Sequence, residues 1–305
     1  MIHELVIISG KGGTGKTTVA ASIAALACPV VLADCDVDGP DLHLLTSPKI
    51  NRSEVFIGGK KAFINPSLCC GCGRCVQMCR FNAVYGSGDN GIVSMTYQVD
   101  PLACEGCGAC VRICPAGAIG FESVENGKWF ISETRFGSMI HARLHPGEEN
   151  SGKLVSLIRR EARLAAEQEA VSLIVSDGSP GMGCSVIASL VNADMALIVA
   201  EPTLSGVHDA RRVMDLVLQM RIRSVLCVNR WEINSELTME LESDAMQNGI
   251  LPVGRIGNDL SAVDAQLAHQ TMVEWPCSKA ADDIRQIWSR VSDELIFTGA
   301  SISDK

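Results

Sequence analysis

The chain has 305 residues, 47% hydrophobic and 20% charged, which is enough for one large α/β domain plus a small module. A formal net charge of −9 argues against non-specific nucleic-acid binding, which needs a basic face. No apolar run of about 18 residues exists, so no membrane span is expected.

Met1-Ile2-His3-Glu4 lacks the basic region and apolar stretch of a secretion signal, so a cytoplasmic location is expected. Aromatic residues are scarce, but there are 14 cysteines, and nine of them lie between Cys69 and Cys114. In a long chain with no secretion signal, that density points to metal binding rather than disulfides.

Leu5–Ser9 reads as a buried parallel strand. A glycine-rich turn follows, then an alanine-rich helix from Lys16 and a second buried strand at Val30–Ala33. This β–loop–α–β order opens a doubly wound, mostly parallel α/β sheet. From Lys61 to Phe121 the helical period disappears, and Cys, Gly, Asn and Pro alternate with short strands. After Lys128 the α/β pattern resumes. Ser151–Glu169 reads as a helix with Leu154, Leu157, Ile158 and Leu164 on one face. Ser151 is its expected N-cap, following Glu148-Glu149-Asn150. Strands are expected at Leu173–Ser176, Met195–Ala200, Ser224–Val228 and Ile250–Gly254. Helices are expected at Val207–Met220, Glu236–Gln247 and Asp283–Leu295, the last with Ile284, Ile287, Trp288 and Val291 on its core side. The expected organisation is an α/β nucleotide-binding domain in two parts, 1–60 and 123–305, with a small α+β module inserted at 61–122.

Gly10-Lys11-Gly12-Gly13-Thr14-Gly15-Lys16-Thr17-Thr18 contains the phosphate-loop pattern G-x-x-x-x-G-K-[ST] between a strand and a helix. Glycines let backbone N–H groups wrap the phosphates of ATP without Cβ clashes. Gly12, Gly13, Thr14, Gly15, Lys16, Thr17 and Thr18 are the expected ATP contacts. Lys16 reaches the β/γ-phosphates and the Thr17 hydroxyl coordinates Mg²⁺ in this pattern. Asp34 and Asp36 follow the second strand, and Asp177 ends a later one, where such folds bind ligands.

Cys69-x-x-Cys72-x-x-Cys75-x-x-x-Cys79 is repeated as Cys104-x-x-Cys107-x-x-Cys110-x-x-x-Cys114-Pro115. Each run has the bacterial ferredoxin spacing for a [4Fe–4S] cluster, in which the fourth cysteine serves the other cluster. Cluster I is then expected on Cys69, Cys72, Cys75 and Cys114, and cluster II on Cys104, Cys107, Cys110 and Cys79. Zinc also accepts thiolates, but its patterns use paired C-x-x-C. An offset of 35 relates the halves (104 − 69), and it also relates Pro66 to Pro101, Gly73 to Gly108 and Ala83 to Ala118. Arg80 stands where the proline after the fourth cysteine usually lies, and Cys70 is extra, expected to point away from the cluster.

The K-G-G-x-G-K-T form of the loop resembles the deviant P-loop of MinD/ParA and nitrogenase-iron-protein ATPases. The segments Asp34–Pro40, Asp177–Gly181, Glu201–Gly206 and Cys227–Arg230 are similar to that group as well, and Gly39-Pro40 is closest to the Mrp subgroup. The whole chain resembles MinD-superfamily ATPases with an inserted ferredoxin domain. That resemblance implies an ATP-sandwich homodimer, or a heterodimer with a similar ATPase, in which Lys11 reaches the partner's nucleotide. It implies that Asp36 orients the attacking water near Mg²⁺, that Asp177 holds Mg²⁺ and that Asn229 contacts adenine. Arg255-Ile256-Gly257-Asn258-Asp259 departs from the group, with glycine where proline is usual, which leaves strict preference for ATP over GTP open.

Three functions follow as alternatives. Nucleotide-gated electron transfer to a redox partner protein is favoured. A cluster carrier of the Mrp type is the second, although Cys184, Cys227 and Cys277 are isolated and form no C-x-x-C. A positioning ATPase with redox sensing is the third. Cys184, seven residues after Asp177, is also a candidate ligand of a bridging cluster.

Overall fold

The computed structural model describes residues 1–145 and 151–300. Residues 148–150, named above as preceding Ser151, lie outside the described residues. The chain divides into two units. One comprises Met1–Glu54, Trp129–Arg143 and the chain from Ser151 onward; the other comprises Val55–Lys128 with the short segment from Leu144.

In chain order the first unit begins with β1 (His3–Ser9), α1 (Lys16–Ala27), β2 (Val31–Asp34), α2 (Leu42–Thr46) and β3 (Lys49–Phe56). The second unit holds β4 (Gly59–Ile64), α3 (Arg74–Met78), β5 (Val84–Gly88), β6 (Thr96–Val99), α4 (Ala109–Ile113) and β7 (Ile119–Val124). The chain returns through β8 (Gly127–Thr134) and β9 (Gly137–Leu144). It continues as α5 (Ser151–Gln168), β10 (Leu173–Pro180), α6 (Cys184–Leu190), β11 (Met195–Ala200) and α7 (Leu204–Gln219). It ends with β12 (Ser224–Asn229), α8 (Ser235–Gln247), β13 (Leu251–Ile256), α9 (Ser261–Leu267) and α10 (Lys279–Ala300).

The described strands of the large sheet run in the order β13-β12-β11-β1-β10-β2-β9-β8-β3. β1 pairs in parallel with both β10 and β11, and β2 in parallel with β10 and β9. The alternation of β1 explains the two helical layers. Leu5 and Ile7 pack with Ile23 of α1 and Ile284, Ile287 and Val291 of α10. Val6 and Ile8 pack on the opposite face with Val186 of α6, Val213 of α7 and Leu241 of α8. Each such fully buried side chain contributes about 1.5–3 kcal/mol.

β10 extends four residues past the expected strand end and so carries Asp177 inside the sheet, because the chain stays paired with β1 up to Pro180. The hairpin β8–β9 and strand β3 were not anticipated from the sequence. Their burial pattern is broken, with no clean two-residue period to read. Leu164, expected on the buried face of α5, is 44% exposed; Val155, Ala162 and Ala166 take the core positions instead.

One buried ion pair fastens the start of β1. Glu4, 4% exposed, receives Arg159 of α5 on both oxygens, at 2.7 and 2.6 Å, together with the Ser176 hydroxyl at 2.7 Å. The third guanidinium nitrogen of Arg159 caps the end of α6 through the carbonyls of Ala188 and Val191, at 2.9 and 2.6 Å.

The second unit is built twice. β4 pairs antiparallel with β7, aligning Ile64 with Ile119; β5 pairs antiparallel with β6, aligning Val84 with Val99. The offset of 35 converts one ladder into the other. Asn65 N–H donates to Ala118 O at 2.8 Å, and Asp100 N–H donates to Ala83 O at 2.7 Å. Gly73 and Gly108 enter α3 and α4 with φ of 70° and 69°.

Candidate functional site

The first centre is the loop between β1 and α1. Gly15 precedes α1 with φ of 91°, a left-handed geometry that glycine adopts without strain. A Cβ there would lie 2.3 Å from Asn229 Nδ2, so the position is closed to any larger residue. Asn229 ends β12 and donates to Thr14 O at 2.7 Å, while its own oxygen accepts from Arg230 N–H at 2.9 Å. It thus ties the phosphate loop to the neighbouring strand end.

Two cavities adjoin this loop. One, about 330 Å³, is lined by residues 12–18 with Ser9, Asp36, Asp41, Pro180, Arg230 and Gln266. The other, about 180 Å³, is lined by Asn229, Arg230, Ile256, Asn258, Leu260, Met272 and Ile284 among others. Gly15, Thr18 and Arg230 line both. A polar, glycine-lined pocket beside an apolar one suits a ligand with a polyphosphate and a flat ring.

Lys16 is nearly buried and stands among three carboxylates. Its Nζ lies 2.7 Å from Asp177 Oδ1 and 3.5 Å from Asp36 Oδ2. Strand register brings the acids together, because Asp34 of β2 aligns with Asp177 of β10. Asp34 and Asp177 are fully buried, and each keeps one carboxylate oxygen with no hydrogen-bond partner. Burial, and then the charge of Asp177, raise the Asp34 carboxyl well above its ordinary range. Asp36 is raised as well, chiefly by burial. Burial alone would lower Lys16, but Asp177 and Asp36 outweigh it and raise it. One ammonium against three acids leaves a negative excess with orphaned oxygens, which fits a divalent cation.

The loop Arg255–Asp259 explains its own departure from the family pattern. Gly257 N–H donates to Asp283 Oδ2 at 2.9 Å, a bond that proline could not make. Ile256, Asn258 and Asp259 still line the apolar cavity. Asp259 is held down to about 2: burial opposes this, but bonds from Ser261, Ser278 and Ala280 prevail.

Arg230, Glu201, Asp41 and Gln266 were not anticipated as lining or charge-pairing residues. Arg230 is adjacent to Asn229, and Glu201 opens a motif already noted, so position was the only sequence signal. Lys11 lies 3.1 Å from Glu201 Oε2.

The second centre lies in the small unit. Cys69, Cys70, Cys72 and Cys75 of the first half line one cavity together with Cys114 of the second half. Cys70, expected to point away from the cluster, is among the residues that line this cavity. Cys114 Sγ accepts from Ala118 N–H at 3.3 Å, and Cys79 Sγ accepts from Ala83 N–H at 3.3 Å. Cys79, Cys104 and Cys110 pack against the same small core, and Cys107 is exposed. Among the described residues, no three His, Cys, Asp or Glu side chains converge tightly enough to hold a single metal ion. Cys184 is exposed at the first position of α6.

Strand, glycine loop, helix and strand-end carboxylates together define a P-loop nucleotide-binding fold. Residues 5–275 match the CobQ/CobB/MinD/ParA nucleotide binding domain, and the chain belongs to that family. A protein of Methanocaldococcus jannaschii, described only as uncharacterised, is 34% identical over 239 residues, covering 77% of this chain and 80% of its own length. A second from the same organism is 29% identical over 266 residues, covering 76% and 83%. Among solved structures, the cell division ATPase MinD of Pyrococcus furiosus superposes with a TM-score of 0.57 at 15% identity, over 96% of this chain and all of that one. The septum site-determining protein MinD of Pyrococcus horikoshii, complexed with Mg-ADP, gives 0.58 at 16% identity, over 99% and 100%. At these identities the likeness is one of fold.

Proposed function

We propose that the protein is a dimer-forming, ATP-hydrolysing ATPase that couples nucleotide-driven changes to electron transfer through two [4Fe–4S] clusters. The observation that carries the cluster half is the cavity lined by four cysteines of one repeat with Cys114 of the other. Cysteines that share a cavity without meeting at a point suit a group wider than a single ion. Among the described residues, the small unit has a small core cluster, Ala62, Ile64, Cys75, Val84 and Ile119, with Phe56, Ala83 and Ala118 also buried. A module with so thin a core needs a staple of another kind. Cys69, Cys72, Cys75 and Cys114 would hold one cluster, and Cys104, Cys107, Cys110 and Cys79 the other. When bound, the clusters supply single-electron transfer toward a redox partner protein.

In the ATPase unit, Gly12–Thr18 would wrap the phosphates and Lys16 would neutralise the charge that builds between the β- and γ-phosphates. Thr17, Asp36 and Asp177 would hold Mg²⁺, and the orphaned oxygen of Asp177 supports that role. Asp36 would orient the attacking water, Asn229 would position the base side of the site, and Lys11 would serve the partner's nucleotide.

The test is iron and acid-labile sulfide analysis of anaerobically reconstituted full-length protein. About eight of each per chain are expected, falling to about four in Cys114→Ser and in Cys79→Ser. A content of about two or fewer, or no loss in either variant, overturns the cluster reading. Cluster oxidation by an acceptor protein, followed with and without ATP, tests the coupling separately.

A further inference from the structure

Glu201 stands just past the end of β11, with its carboxylate turned to two cations. Oε2 lies 3.1 Å from Lys11 Nζ, and Oε1 lies 3.0 Å from Arg230 Nη1. Lys11 belongs to the phosphate loop and also donates to Thr203 Oγ1 at 3.0 Å and Ser205 Oγ at 3.3 Å. Both hydroxyls sit at the N-terminus of α7, where Thr203 already caps the helix by accepting from Gly206 N–H at 3.0 Å. A helix N-terminus carries partial positive charge and is a poor seat for an ammonium. Glu201 is the nearby anion that makes it acceptable. Arg230 occupies the equivalent position on the other side: it lines both cavities and reaches Gly13 O at 3.4 Å.

One carboxylate thus holds the cation of the loop and the cation at the junction of the two cavities. Both cations stand beside the phosphate loop, where a polyphosphate bound to this chain or to a dimer partner would offer them competing oxygens. Both pairs are partly open to solvent, with Lys11 27% and Arg230 42% exposed, so they are weak enough for a phosphate to break. We propose that Glu201 is an internal counter-anion that competes with nucleotide phosphates for Lys11 and Arg230 and so sets nucleotide affinity. It is a positioning residue, acting through the two cations. The inference rests on the reading that these cavities take a nucleoside triphosphate.

Competition of this kind has a signature that loosening of the fold lacks: its size follows the number of phosphates. The experiment is calorimetric binding of Mg-ATP, Mg-ADP and AMP to the full chain, in wild type, Glu201→Gln, Lys11→Gln and the double variant. E201Q is expected to bind ATP about tenfold more tightly, ADP by a smaller factor and AMP within about twofold of wild type. The gain is expected to shrink in the K11Q background, since the two residues are in contact. Glu201→Asp serves if E201Q does not fold: its shorter carboxylate reaches only one cation, and a smaller tightening is expected. Unchanged or weaker ATP binding in E201Q or E201D, or equal tightening for AMP and ATP, overturns the proposal alone. A wild-type chain that binds no ATP overturns the nucleotide reading and the proposal together.

Discussion

Replacing Arg159 by methionine tests how the sheet is fastened under the phosphate site. The change removes two bonds to a carboxylate that is 4% exposed and leaves Glu4 with only the Ser176 hydroxyl. It also strips the carbonyls of Ala188 and Val191 of their shared donor at the end of α6. Breaking a buried pair from one side costs about 3–5 kcal/mol, because the surviving charge stays buried. For a domain of this size, that lowers the melting temperature by about 6–20 °C. The double variant Glu4→Leu/Arg159→Met removes both charges and is expected to recover most of the loss. Urea unfolding of the three proteins, with midpoints and slopes compared, measures the difference. A loss below about 1 kcal/mol in R159M, or a double variant less stable than the single, would refute the reasoning.

Two more predictions rest on single contacts. His141 stacks on Phe130, bonds Ser132 Oγ at 2.8 Å, and is held down to about 4 by burial, with His43 and Arg143 adding to the effect. The unfolded chain takes up this proton near 6.5 and the folded one near 4, so stability present above 6.5 is lost as pH falls through that window, by up to about 3 kcal/mol. His141→Asn should show a correspondingly smaller drop in urea midpoint between pH 7 and pH 4.5, and an equal drop would count against it. Gly257→Pro deletes the bond to Asp283 and should cost about 1–3 kcal/mol while weakening nucleotide binding. Gly257→Ala should stay near wild type in thermal melts, because its Cβ would crowd only the carboxylate end of Glu232 at 3.0 Å and meet Asp283 Oδ2 in ordinary contact at 3.6 Å.

The sequence was most legible where chemistry demands fixed spacing. The phosphate loop, the strand-end acids and the duplicated cysteines each need particular residues at particular offsets, and the loop and acids come together in the fold as those offsets require. Apolar runs such as Leu5–Ser9 and Met195–Ala200 also declared themselves, because a parallel strand buried on both faces has no polar interruptions. Strands β3, β8 and β9 did not, since they mix exposed and buried positions without a period. The Glu201 contacts were invisible for a different reason. Lys11, Glu201 and Arg230 lie up to 219 positions apart (230 − 11), and only the order of strands in the sheet brings them together. Spacing alone did not show that Cys70 lines the same cavity as Cys69, where the chain turns at Gly71 with φ of 68°.

The reciprocal bonds between Asn65 and Ala118, and between Asp100 and Ala83, make each half of the small unit depend on the other. Each half of the small unit pairs its strand with one from the other half, and the cavity of the first half is closed by a cysteine of the second. A solitary half would have had no mate for its edge strand and one wall missing from its cavity. Such a peptide could become complete only by embracing an identical copy of itself. The present module carries both copies in one chain, and Glu105 stands where the offset of 35 would place a counterpart of Cys70.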